Sequence, residues 1–180
     1  MTGSEYSNLM VQRVIGDRKR GPGVTRAVSP EVCAAIGELP LPVDWSRVRL
    51  YRAGCGGGAG LKRRLVLWLS RGRAVALGNH VFMPARCDSD LPLMAHEVTH
   101  CAQYQSWGPW RYFTRGAAAQ VRDLLHRRLG FGRSPYAYDW APGRSWDAYG
   151  IEQQAQIVED ALRGSAAARA ITEGCRARGT

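Results

Sequence analysis

The chain has 180 residues, of which 45% are apolar, enough for one sizeable core and too few for two. Twenty-five Lys and Arg residues against 15 Asp and Glu give a net charge of +10, which excludes an acidic or weakly hydrophobic disordered chain. The longest unbroken apolar run, Leu65–Leu69, is far short of the roughly 20 residues that span a bilayer, so no membrane span is expected.

Met1–Met10 is polar and lacks a basic start followed by an apolar stretch. The chain is therefore expected to be made in the cytoplasm without a signal peptide, any export depending on a specialised secretion system. Residues 1–28 carry Gly16-Asp17-Arg18-Lys19-Arg20-Gly21-Pro22-Gly23 and read as a basic flexible arm, with residues 29–164 forming one domain. Ser29 caps a short helix with Pro30 in its first turn, running to about Gly37. Val48–Ala53 reads as a strand and Gly54–Gly60 as a flexible glycine loop. That loop formally fits the dinucleotide pattern G-x-G-x-x-A, but no acidic residue stands between Arg71 and Asp88 to hold a ribose, so it is not read as a nucleotide site. Leu65–Leu69, Ala74–Leu77 and Val81–Met83, separated by Arg71-Gly72 and Gly78-Asn79, suggest a small antiparallel sheet.

The second half is helical. Asp88 or Ser89 can cap a helix that enters through Leu91-Pro92 and runs to about Trp107, where Gly108-Pro109 stops it. A further helix is expected over Trp110–Leu129, a loop over Gly130–Arg144, a last helix over Tyr149–Leu162, and a frayed tail over residues 165–180. Strands followed by helices give the α+β class. Five cysteines, with no Cys-x-x-Cys pair, are expected as free thiols.

The chemistry centres on His96-Glu97-Val98-Thr99-His100, an H-E-x-x-H sequence. On a helix, residues four apart lie one above the other, so both imidazoles can reach one metal ion. Glu97 is rotated by about 100° from His96, positioned to act on a water as general base without being a ligand. Leu91, Met94, Ala95, Val98 and Ala102 make a core face, and His96, His100, Gln103 and Trp107 the opposite one. A hydrolytic metal site needs a third protein ligand and an open position. Glu152 is the leading candidate, because it flanks the apolar stripe Ile151, Ala155, Val158 and Leu162 of the last helix. Gln156 or Glu159, further along, could accept the remaining N–H of a ligating histidine. Asp147 and then His126 are the other candidate ligands.

The segment His96–His100 with Gln103, preceded by Leu77-Gly78-Asn79-His80-Val81-Phe82, resembles small bacterial H-E-x-T-H metallopeptidases that accompany Rhs and type VI secretion proteins. It is also similar to the core metallopeptidase-like domain of contractile-injection payloads. Tyr149-Gly150-Ile151-Glu152-Gln153-Gln154-Ala155-Gln156-Ile157-Val158-Glu159-Asp160 is similar to the second element of these families. The resemblance covers about residues 75–163. It implies a zincin-like fold, a Zn²⁺ held by His96, His100 and Glu152, a protein or peptide substrate, and a secretion-system or immunity protein as a further partner. An effector or toxin role follows from the same resemblance. Gly78–Met83 resembles the strand that precedes the zinc helix, whose edge could pair with an extended peptide. Tyr149 is the first choice for stabilising an oxyanion, with Tyr138, His126 and Arg144 as further candidates.

Two other function classes stand beside hydrolysis. One is a non-catalytic module in which zinc only holds the fold, which would not need Glu97. The other is nucleic-acid binding through arginine, yet the basic residues are dispersed and match no nucleic-acid module, so nucleic acid is not the expected partner.

Overall fold

The computed structural model describes residues 26–139, 141 and 144–177. Four short strands and six α-helices make an α+β arrangement of these residues. Most of the expected basic arm, residues 1–25, lies outside the described part. Its end does not behave as an arm, because β1 (Arg26–Ala27) pairs antiparallel with β2 (Arg49–Tyr51) and Val28 is buried.

Helix α1 (Pro30–Ile36) begins as its sequence implies, with the Ser29 side chain accepting from the Val32 N–H at 3.4 Å, and it buries Val32 and Ile36. The next stretch corrects the expected loop and strand. Gly54–Gly60 does not run as a loop and Leu65–Leu69 is not a strand; both feed one helix, α2 (Gly57–Leu69), with Gly56 as its cap. Gly60 has to be glycine, since a Cβ there would collide with the carbonyl oxygen of Cys55. Strands β3 (Val75–Leu77) and β4 (His80–Phe82) form a tight hairpin whose Gly78 takes φ 63°, with the Tyr104 ring packed against it.

The sheet order is β1-β2-β4-β3, and it is mixed rather than antiparallel. β2 and β4 run parallel, with Leu50 opposite Val81, because α2 supplies the crossover between them that a parallel pair needs. β4 is therefore an inner strand. The free edge beside it belongs to β3, not to Gly78–Met83.

Helix α3 (Leu91–Trp107) follows, then α4 (Pro109–Leu129), α5 (Ile151–Leu162) and α6 (Ala166–Ala177). The cap of α3 is Asp90, whose carboxylate accepts from the Leu93 N–H at 3.0 Å. The expected frayed tail is instead α6. It packs on α5 through Ala168, Ile171 and Cys175, all buried in the main core with Met94, Val98, Trp146 and Ile157. All five cysteines are free thiols. No helix among the described residues is long and apolar enough to cross a membrane.

Candidate metal centre

α3 is the middle of the molecule. Met94, Ala95, Val98, Cys101 and Ala102 are fully buried on one side, and His96, Glu97, His100 and Gln103 are buried on the other. A helix buried all round must satisfy its polar side chains within the protein. α3 does so mainly against α5, its most extensive helix neighbour.

Glu152 stands in the first turn of α5. Its Oε2 lies 3.8 Å from His96 Nε2 and 3.5 Å from His100 Nε2. The two imidazoles are 5.1 Å apart at their centres and inclined by 76°. Among the described residues, His96, His100 and Glu152 form the group whose donor atoms converge closely enough to hold a metal ion. The spacing fits one. Ligand atoms at about 2.1 Å from a tetrahedral ion are separated by about 3.4 Å, close to the two carboxylate–imidazole distances.

Both imidazoles are oriented from behind. Gln103, one turn after His100, places Oε1 2.8 Å from His100 Nδ1. The Gln103 amide nitrogen donates to the Ile151 carbonyl and to Gln154 Oε1, each at 2.9 Å, while the Gln154 nitrogen donates to the Trp146 carbonyl at 3.0 Å. A carbonyl can only accept, so Gln103 must direct NH₂ at Ile151 and oxygen at His100. In the neutral ring His100 Nδ1 then carries the proton, which leaves the Nε2 lone pair for a metal. For His96, Glu159 Oε2 sits 3.0 Å from Nδ1, at ion-pairing distance rather than aligned for a hydrogen bond. Glu159 is held by Arg163 at 2.9 Å, and Arg163 also reaches Asp90 Oδ2 at 3.0 Å, tying the cap of α3 to the end of α5.

The electrostatics follow from burying Glu97 and Glu152, with the half-buried Glu159, beside two imidazoles. Burial opposes charging His96, but Glu152 and Glu159 outweigh it and raise its pKa from 6.5 to about 10. Burial likewise opposes a charged His100, and Glu152 overcomes it, so that pKa also rises. Glu152 is buried too, yet the two imidazoles hold its carboxyl well below the usual carboxylate range. Protons on the two rings thus supply the positive charge that a metal ion would otherwise bring. Burial pushes the Glu97 carboxyl above its ordinary value.

His96, Glu97, His100 and Glu152 all line one cavity of about 600 Å³, bordered by β3 and by Tyr112 and Tyr136. The Tyr112 hydroxyl is engaged, donating to the Ala76 carbonyl at 3.1 Å. Tyr136 lies 6.4 Å from His96 between ring centres, and burial raises its hydroxyl to about 12, so it stays a donor across the physiological range.

The other expected residues lie elsewhere. Tyr149 does not line this cavity; its hydroxyl is buried without a hydrogen-bond partner, and it borders a second cavity beyond Ile151 and Glu152. Tyr138 donates to Asp160 Oδ2 at 2.6 Å, Arg144 to the Ala148 carbonyl at 2.8 Å, and His126 sits 3.0 Å from the Gly132 carbonyl. Asp147 is exposed in a 3₁₀ turn and does not join the ligand group. Of the two supports considered for a histidine, Glu159 stands at ion-pairing distance from His96 Nδ1 and Gln156 instead donates to Asp160. Gln103 and Tyr136 are additions that sequence reasoning missed. The position of Gln103 three residues after His100 on one helix face was the available signal.

The chain matches no family model, no curated protein and no solved structure, so its function has to be read from this site.

Proposed function

We propose that the protein is a zinc-dependent metallopeptidase. The observation that carries this is the convergence of His96 Nε2 and His100 Nε2 on Glu152 Oε2, at 3.8 and 3.5 Å, with Glu97 lining the same cavity. Two imidazoles and one carboxylate, with room for a further ligand, suit Zn²⁺ in a hydrolytic rather than a structural site. Bound there, zinc would lower the pKa of a water toward about 7 and polarise a peptide carbonyl.

The chain's residues supply the rest. His96, His100 and Glu152 hold the ion, and Gln103 and Glu159 fix the rings so that Nε2 faces it. The Glu97 carboxylate takes a proton from the attacking water and returns it to the leaving amine nitrogen, and its burial raises its basicity above that of an ordinary carboxylate. Tyr136, which lines the same cavity, donates a hydrogen bond to the carbonyl oxygen as negative charge builds on it. The zincin-like fold, and an effector or toxin role with a secretion-system or immunity partner, belong to this proposal on the strength of the sequence resemblance.

The test is metal analysis with activity. The wild-type chain should carry about one zinc, and His96→Ala, His100→Ala and Glu152→Ala should lose it. Glu97→Gln should keep the zinc and lose peptide hydrolysis by about 10²–10⁴-fold. Full zinc retention in the ligand variants would overturn the site; unchanged turnover in Glu97→Gln would remove Glu97 as base.

A further inference from the structure

Helix α2 is inverted. Leu61, Leu65, Trp68 and Leu69 are 70%, 54%, 74% and 67% exposed, and no residue of the helix is buried. At 100° per residue these four fall within one arc of about 100°, the width that a helix normally turns toward a core. Here the arc faces out. The opposite side, with Arg63, Val66, Leu67 and Ser70, is the half-buried one, and Arg63 is held there by donating to the Met83 carbonyl at 2.9 Å.

The charges around the stripe have one sign. Lys62 and Arg64 flank it and are exposed, as are Arg71 and Arg73 just past the helix. Between Asp44 and Asp88 the chain has nine basic residues and no acidic one. A second copy of the chain would bring this cationic face against itself and be repelled. A nucleic acid would meet the cations but leave the leucines facing phosphate and water. An anionic bilayer surface satisfies both features, taking Trp68 and the leucines below its headgroups and the cations among its phosphates.

We propose that α2 is an interfacial docking helix that seats the protein on anionic lipid surfaces. Leu61, Leu65, Trp68 and Leu69 insert, Arg64 pairs with headgroup phosphates, and the helix lies in the membrane plane without crossing it. The proposal is independent of the metal centre.

The experiment is flotation of the full chain with phosphatidylcholine vesicles, alone or containing about one-third phosphatidylglycerol. Binding to the anionic vesicles should exceed binding to the neutral ones by about tenfold and weaken as salt is raised. Leu65→Ser/Trp68→Ser should lower it by about tenfold and Arg64→Gln by about fivefold, each with an unchanged melting transition because these side chains are exposed. Absent binding to anionic vesicles, or equal binding by the Leu65→Ser/Trp68→Ser variant, would overturn the proposal. So would a dimer dispersed by that variant, or tight binding to duplex DNA, in a protein that ignores vesicles.

Discussion

Gln103 and Gln154, 51 positions apart and fully buried, are joined by a 2.9 Å hydrogen bond that helps fix which nitrogen of a neutral His100 carries the proton. Because the same Gln103 nitrogen also donates to the Ile151 carbonyl, the amide cannot flip without turning its oxygen onto that carbonyl. One link thus couples α3 to the start of α5, the element that carries Glu152.

Gln103→Leu should lower zinc affinity by about 10–100-fold through loss of the His100 support. The Ile151 carbonyl and Gln154 lose a partner at the same time, which should cost about 1–3 kcal/mol of stability. Gln103→Glu keeps an acceptor for His100 and should lose less affinity. Competition with a chromogenic chelator measures both, and wild-type affinity in Gln103→Leu would refute the link.

Removal of the metal should make the protein's stability strongly pH-dependent. In the metal-free site the His96 pKa is raised from 6.5 to about 10. Its contribution is therefore fully present below about 6.5 and lost as pH rises through about 10. Glu152 is depressed, so its contribution is present above its unfolded value near 4.5 and lost only under strong acid. Chelator-treated protein should melt highest between about pH 5 and 6.5 and progressively lower toward pH 10, as followed by circular dichroism. A flat profile over that range would contradict the charged His96–Glu152–Glu159 cluster.

Zinc binding must displace those ring protons. Calorimetry at pH 7.5 in buffers of different ionisation enthalpy should show about one to two protons released per zinc. Zero release would mean that the metal-free imidazoles are already neutral.

Tyr136→Phe should reduce kcat by about 10–100-fold while leaving zinc content unchanged, since its hydroxyl is offered to the transition state and not to the metal. Tyr149→Phe should leave kcat close to wild type, because Tyr149 does not line the metal cavity. Steady-state kinetics on a peptide substrate separates the two; the reverse pattern would restore Tyr149 as the oxyanion donor.

Ile171→Ala, in the helix that replaces the expected frayed tail, should destabilise the protein by about 2–4 kcal/mol. Chemical denaturation measures this, and a change within about 0.5 kcal/mol, as for a surface substitution, would mean that α6 does not contribute to the core.

Two segments show why parts of the fold were hard to read. Ala168, Ile171, Thr172 and Cys175 carry a helical period, but small and polar residues make the stripe faint, and only the α5 surface beneath it gives the segment something to bury. Leu65–Leu69 is a short apolar run that fits a buried strand or a helix equally well. Its outcome was decided at a distance, by the parallel register of β2 and β4, which requires a crossover between them.

His96 and His100 sharing a helix face, with Glu97 beside them, was determined by the sequence alone, because the i, i+4 relation is a local property of helical backbone. So was the extent of α3, ended by Gly108 as expected but capped at Asp90 rather than at Asp88 or Ser89. Tertiary structure alone decided that Glu152 rather than Asp147 joins His96 and His100 in the candidate metal group, that Gln103 and Glu159 stand behind the rings, and that Tyr136 rather than Tyr149 reaches the cavity. Each of those choices depends on how α5 and the loop before it lie against α3, and that placement is set by burial shared among residues far apart in the chain rather than by any local pattern.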